Sequence, residues 1–136
     1  MGKTVRDLTL DDEHMTIGGE DTIQEAAKRL LTLPGGILVV LNDENRVQGV
    51  IGQRQLVKAL ADGVDASSNR CHEHMEMDLL TVRLSDDLAG VLSDVKARSP
   101  QAVVAVDENE EFIGYFSPGD YQEAVQLVKN LKGLKL

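Results

Sequence analysis

Shifted by 65 positions, the chain meets itself without a gap. Thr16-Ile17 falls on Thr81-Val82, Asp21 on Asp86, Ile23 on Leu88 and Leu30 on Val95. The run Ile37-Leu38-Val39-Val40-Leu41 falls on Ala102-Val103-Val104-Ala105-Val106, and Gly49-Val50-Ile51 falls on Gly114-Tyr115-Phe116. Identities are few, but apolar positions and turn positions agree across the whole period. A period of this kind means one supersecondary unit used twice, each copy burying too little alone. The 136 residues therefore divide into repeats at 1–65 and 66–136.

Each repeat reads in the same order. A short strand (around 15–17 and 80–82) leads through a polar loop into an amphipathic helix. Ile23, Ala26, Ala27, Leu30 and Leu31 mark the first helix near 22–32, and Leu88, Val91, Leu92 and Val95 the second near 86–97. Thr22, and Ser85 or Asp86, are the expected caps. Two apolar runs follow, separated by NDEN in one repeat and DENE in the other, which predicts a hairpin. A second helix closes each copy, near 53–61 and 118–132. The order strand–helix–strand–strand–helix, repeated, predicts an α+β fold. Residues 62–70, DGVDASSNR, read as the linker and as a candidate mobile element, with the termini.

Composition narrows the function classes. Fourteen basic against 23 acidic residues leave a net charge of −9, which repels nucleic acid and anionic membrane. Trp is absent and aromatics are 3%, so no base-stacking platform is visible. No apolar run approaches a membrane span, no signal-peptide pattern opens the sequence, and one cysteine, Cys71, suits a reducing cytoplasm. Arg6 stands where a myristoylation signal needs a hydroxyl, and the early G-K-T lacks the upstream glycine of a phosphate loop.

The stretch GYFSPGD, 114–120, carries the most chemistry. Ser117 fits an N-cap, Pro118 the first helical position and Asp120 the closing residue of a capping box. The same groups suit a ligand. A carboxylate accepts from both hydroxyls of a cis-diol, a serine hydroxyl adds one more bond, and a helix start offers N–H groups.

This layout, with a G-apolar-apolar-S/T-x-x-D stretch after the hairpin, resembles the cystathionine-β-synthase (CBS) domain, and the tandem resembles a Bateman module. Thr16-Ile17, Thr81-Val82, the central apolar runs, Gly49, Gly114 and GYFSPGD carry the resemblance. TVRDL (4–8) and CHEHM (71–75) sit where the family has a short helix leading into each repeat. Two features depart from it. Val39 and Val104 stand where proline is frequent, and GVIGQRQ puts Gly52 and Gln55 in place of the hydroxyl and carboxylate.

The resemblance implies a stand-alone, non-enzymatic regulatory module for an adenosine-containing ligand: AMP, ADP, ATP, S-adenosylmethionine or NAD(H). It implies one cleft using Ser117, Asp120 and Tyr115 with Thr16, Ile17, Gly36, Ile37 and Leu38. A second, weaker cleft would use Gly52 and Gln55 with Thr81, Val82, Ala102 and Val103. It further implies a cytoplasmic homodimer regulating an unidentified protein, with no catalytic residue and no resident cofactor. Lys28 and Arg29 are the evident cations near the first cleft, which disfavours a triphosphate. The rival reading is a ligand-free structural dimerisation module with decayed clefts.

Other clusters carry less. Cys71, His72 and His74 are borderline metal ligands, but no second Cys/His pair accompanies them, so the segment reads as an exposed helical lead-in. A metal-responsive regulator through them is the third reading. Asp107, Asn109 and Glu111 alternate like calcium ligands but lack the loop glycine, and read as a turn. Asp11-Asp12-Glu13-His14 reads as a solvated acidic run. On the last helix Tyr121, Ala124, Val125, Val128 and Leu131 form a stripe, with Leu134 and Leu136 beyond, which suits either burial on its own repeat or a partner helix.

Overall fold

The computed structural model describes residues 2–10, 14–33 and 35–133, with side chains as far as Lys129. Asp11, Asp12 and Glu13 of the acidic run, and Leu134 and Leu136 of the last stripe, lie outside the described residues, as does the Leu131 side chain.

The elements are β1 (His14–Gly18), α1 (Ile23–Leu31), β2 (Ile37–Leu41), β3 (Val47–Ile51), α2 (Gln53–Ala61), β4 (Leu79–Arg83), α3 (Leu88–Arg98), β5 (Ala102–Val106), β6 (Phe112–Phe116) and α4 (Pro118–Gly133). Each strand of the second half starts 65 residues after its counterpart, as His14 to Leu79 shows. Two three-stranded sheets result, β1-β2-β3 and β4-β5-β6. In each the first pair is parallel and the second antiparallel, with a register shift at Val40/Leu41 and again at Ala105/Val106. The fold is α+β, as the repeat predicts.

Hairpin turns explain NDEN and DENE. Asn42 Oδ1 accepts from the N–H groups of Glu44 and Arg46, and Asp107 Oδ1 from those of Asn109 and Glu111. Asn45 and Glu110 complete the turns at φ of 63° and 67°.

Spatial grouping departs from sequence order. The described residues of 1–12 and 79–136 form one compact unit, and those of 13–78 the other. The lead-in before the first repeat thus packs on the second, and residues 66–78 pack on the first. Backbone hydrogen bonding is the reason. Val5 N–H donates to Asp86 C=O and Arg6 N–H to Leu84 C=O, at 3.0 and 2.9 Å; Cys71 and His72 make the matching bonds to Asp21 and Gly19, at 2.8 and 3.1 Å. Val5 and Leu8 join the core of Leu88, Val91, Val103, Phe116 and Ala124. Cys71 joins that of Ile17, Ile23, Ala26, Leu38 and Ile51.

Two local expectations change. The cap of α3 is Asp87, which accepts from Gly90 N–H at 3.0 Å, whereas Asp86 accepts from Arg83 N–H at 2.9 Å and closes the turn after β4. Thr22 caps α1 as expected. Residues 62–70 are no free linker. Asn69 C=O and Ala66 C=O accept from Ile23 N–H and Gln24 N–H, both at 3.0 Å, so this segment satisfies orphan donors of α1. The hydroxyl and N–H of Ser67 hold the Asp65 carboxyl below its ordinary value. On α4, Tyr121, Ala124, Leu127 and Val128 pack on the core of their own unit.

Candidate binding site at the start of the last helix

Strand β6 delivers Ser117 to the first turn of α4. Asp120 N–H donates to Ser117 Oγ at 3.0 Å, while Asp120 Oδ2 accepts from Ser117 N–H at 2.9 Å and Ser117 Oγ–H at 3.1 Å. Tyr121 N–H then donates to Ser117 C=O at 2.9 Å. Pro118 has no N–H to leave unpaired. The capping half of the GYFSPGD reading is thereby met in full. Both side chains are buried, Ser117 at 5% and Asp120 at 3% exposure.

Beside this cap lies a cavity of about 230 Å³. Val95 of α3, Pro100, Gln101, Ala102 and Val103 line one side; Tyr115, Phe116, Ser117, Pro118, Tyr121 and Gln122 line the other. Its shape follows from the hairpin and a helix end. Val103 pairs with Phe116 and Val104 with Tyr115 across β5 and β6. Ser99 ends α3 in the left-handed region at φ 46°, and Pro100 prevents its continuation, which turns Gln101 and Ala102 toward the helix α4 start. The lining is mostly apolar with a few convergent hydroxyl and amide groups, the pattern of a small-molecule site.

Two larger hollows, of about 330 and 580 Å³, lie at the hairpin ends. They are copies of each other: Arg83, Val106, Asp107 and Ile113 in one answer to Gly18, Leu41, Asn42 and Gln48 in the other. Both are rimmed by turn residues already hydrogen-bonded to one another or ion-paired, as Arg83 is to Glu110. They follow from the repeat's geometry and offer little apolar enclosure, so the α4 cavity is the better candidate despite its size.

The sequence-predicted residues fall as follows. Tyr115 and Ser117 line the cavity, and Asp120 stands behind Ser117. Ala102 and Val103, expected at the Gly52/Gln55 end, line this cavity instead, because β5 is the hairpin partner of β6. Thr81 and Val82 lie on β4 opposite Val104 and Ala105. Thr16, Ile17, Gly36, Ile37 and Leu38 belong to the other unit, where Thr16 C=O accepts from Arg29 Nη1 at 2.7 Å. Gly52 starts α2 without a side-chain cap, and its N–H donates to Gln55 Oε1 at 2.8 Å. Sequence reasoning missed Val95, Pro100, Gln101, Phe116, Tyr121 and Gln122. The hairpin itself was the available signal, since pairing 102–103 with 116 places them together.

Cys71, His72 and His74 diverge. Cys71 is fully buried, a correction to the exposed segment expected, and burial reinforced by Asp21 pushes its thiol up to about 11. His72 approaches Glu20 at 3.6 Å, and His74 Nε2 lies 3.1 Å from Asn69 Oδ1. Among the described residues no three His, Cys, Asp or Glu side chains are placed to share a metal ion.

Residues 5–62 match the family model for the CBS domain. The second repeat carries the same strands, register shift and helices. The chain folds as a CBS-domain pair. The CBS-pair fold is shared with a putative acetoin utilization protein (AcuB) from Vibrio cholerae, at TM-score 0.76 and 18% identity over 99% of this chain and 96% of that one. It is shared with the CBS-pair protein CBSX2 from Arabidopsis thaliana, at TM-score 0.72 and 22% identity over 96% and 99% of the chains. A structure of CBSX2 in complex with AMP matches at TM-score 0.74 and 20% identity, over 94% and 99%. At these identities the likeness is one of fold. No curated protein sequence matches the chain.

Proposed function

We propose that this CBS pair is a non-enzymatic regulatory module that binds an adenosine-containing ligand at the start of α4. The observation that carries the reading is the cavity where Tyr115, Tyr121 and Ser117 meet the apolar wall of Val95, Ala102 and Val103. Aromatic and aliphatic side chains suit a purine, and the hydroxyls and amides suit a sugar. CBSX2, of the same fold, binds AMP. In this reading Ser117 contacts the ligand and Asp120 holds Ser117 in place. Thr16, Ile17, Gly36, Ile37 and Leu38 remain proposed further contacts, and Gly52/Gln55 a weaker site. The ligand works on a regulated protein by binding two conformations unequally.

A cytoplasmic homodimer belongs to the same proposal. Support comes from Leu31, Val57 and Leu60 on α1 and α2, which are 82%, 64% and 79% exposed. Light scattering of the purified chain tests it: a monomer at micromolar concentration would refute the dimer.

The rival reading, a ligand-free scaffold, is favoured by one observation: Ser117 and Asp120 already satisfy each other. Thermal unfolding with adenosine ligands decides between them. A ligand at about 100 times its Kd stabilises by about 2.7 kcal/mol. No shift in melting temperature at millimolar ligand establishes the scaffold.

A further inference from the structure

The electrostatics of the α4 cavity differ from those of a phosphate site. Among the described residues none of its lining side chains is charged. Of the cations nearest in sequence, Lys96 is exposed beside Val95 without lining the cavity, and Arg98 donates to Leu79 C=O at 3.3 Å. Helix starts bind phosphate through several free N–H groups and a positive dipole end. Here that capacity is spent. Pro118 contributes no N–H, Asp120 N–H goes to Ser117 Oγ, and Gly119 is left as the donor of the first turn. The Asp120 carboxylate is fixed on Ser117 at the same helix end, where it offsets the dipole. The whole chain, at −9, adds repulsion toward anions. The volume of about 230 Å³ also falls below the roughly 300–1,000 Å³ of ordinary ligand sites.

We infer that this cavity selects a phosphate-free nucleoside over its nucleotides: the base and sugar are held by neutral contacts, and each added phosphate is disfavoured. The inference rests on the binding reading above and narrows its ligand class. Gln101, exposed on the cavity rim, is the position from which a cation would reverse the preference.

Calorimetric titration of the full chain with adenosine, AMP and ATP tests it. Adenosine is expected to bind at least about tenfold more tightly than AMP, since one uncompensated charge near a low-dielectric wall is worth a factor of that order. Gln101→Lys is expected to tighten AMP by roughly tenfold and leave adenosine unchanged. AMP or ATP binding as tightly as adenosine overturns this inference and leaves the binding reading standing. An unchanged adenosine-to-AMP ratio in Gln101→Lys also overturns it. If none of the three binds, the site itself is refuted and this inference falls with it.

Discussion

Asp120 and Ser117 hold each other by three hydrogen bonds within one helical turn. The Asp120 carboxylate accepts from the Ser117 N–H at 2.9 Å and hydroxyl at 3.1 Å, and the Asp120 N–H returns to Ser117 Oγ at 3.0 Å. This closed pair fixes a hydroxyl beside the cavity. It also makes Asp120 more than an ordinary cap, because the pair is buried.

Asp120→Ala is expected to cost about 2 kcal/mol of unfolding free energy. Bonds to a charged acceptor are worth about 1.5–3 kcal/mol, above the ~1 kcal/mol of a typical exposed cap. Urea denaturation measures it, and a loss below about 0.5 kcal/mol would contradict the bonding described.

The lead-ins predict where damage appears on truncation. Deleting residues 2–10 removes Val5 and Leu8 from the core around Leu88 and Val91. Burying such side chains is worth about 1.5–3 kcal/mol each. Hydrogen exchange should show protection lost in 79–116 and retained in 14–61. Loss confined to 14–61 would return the lead-in to the repeat it precedes.

Gly49 marks a crossing point. A Cβ there would stand 2.8 Å from the Glu76 carbonyl oxygen, and the segment is pinned by Val50 N–H to Glu76 C=O at 2.9 Å and Glu76 N–H to Val50 C=O at 2.8 Å. Gly49→Ala should therefore cost about 1–3 kcal/mol, the range for overpacking. Equilibrium denaturation that finds it neutral would contradict the close approach.

Cys71 sets an alkaline limit. Its thiol is raised from an ordinary value of 9.0 to about 11 by burial. Between these values the folded state keeps a proton that the unfolded state has released, so stability is full below pH 9 and falls as pH rises toward 11. The slope from this group is about 1.4 kcal/mol per pH unit. Cys71→Val, the residue type at the matching Val5, should remove that component. An identical alkaline slope in the variant would contradict it.

The fold was legible because the repeat kept its apolar runs and turn positions in step, and each strand boundary then transferred by 65 residues. Two things were not legible. Lead-in segments bond through backbone N–H and C=O groups, which carry no side-chain signature, so their assignment to the opposite repeat was hidden. Asp86 and Asp87 are adjacent carboxylates, and which one caps α3 is decided by the turn after β4. At the site, Ser117 and Asp120 stood out by residue type, whereas Val95, Pro100 and Tyr121 are ordinary core residues until α3, the hairpin and α4 converge.

Calorimetric titration with adenosine, read for stoichiometry, tests the central claim most directly. The cavity at Ser117 has a hydroxyl and aromatic walls, while Gly52 offers no side chain and Gln55 is held by the Gly52 N–H. One ligand per chain is expected, weakened about tenfold in Ser117→Ala by loss of a hydrogen bond worth about 1 kcal/mol or slightly more. Two equal sites per chain, or a single site indifferent to Ser117→Ala, would contradict it.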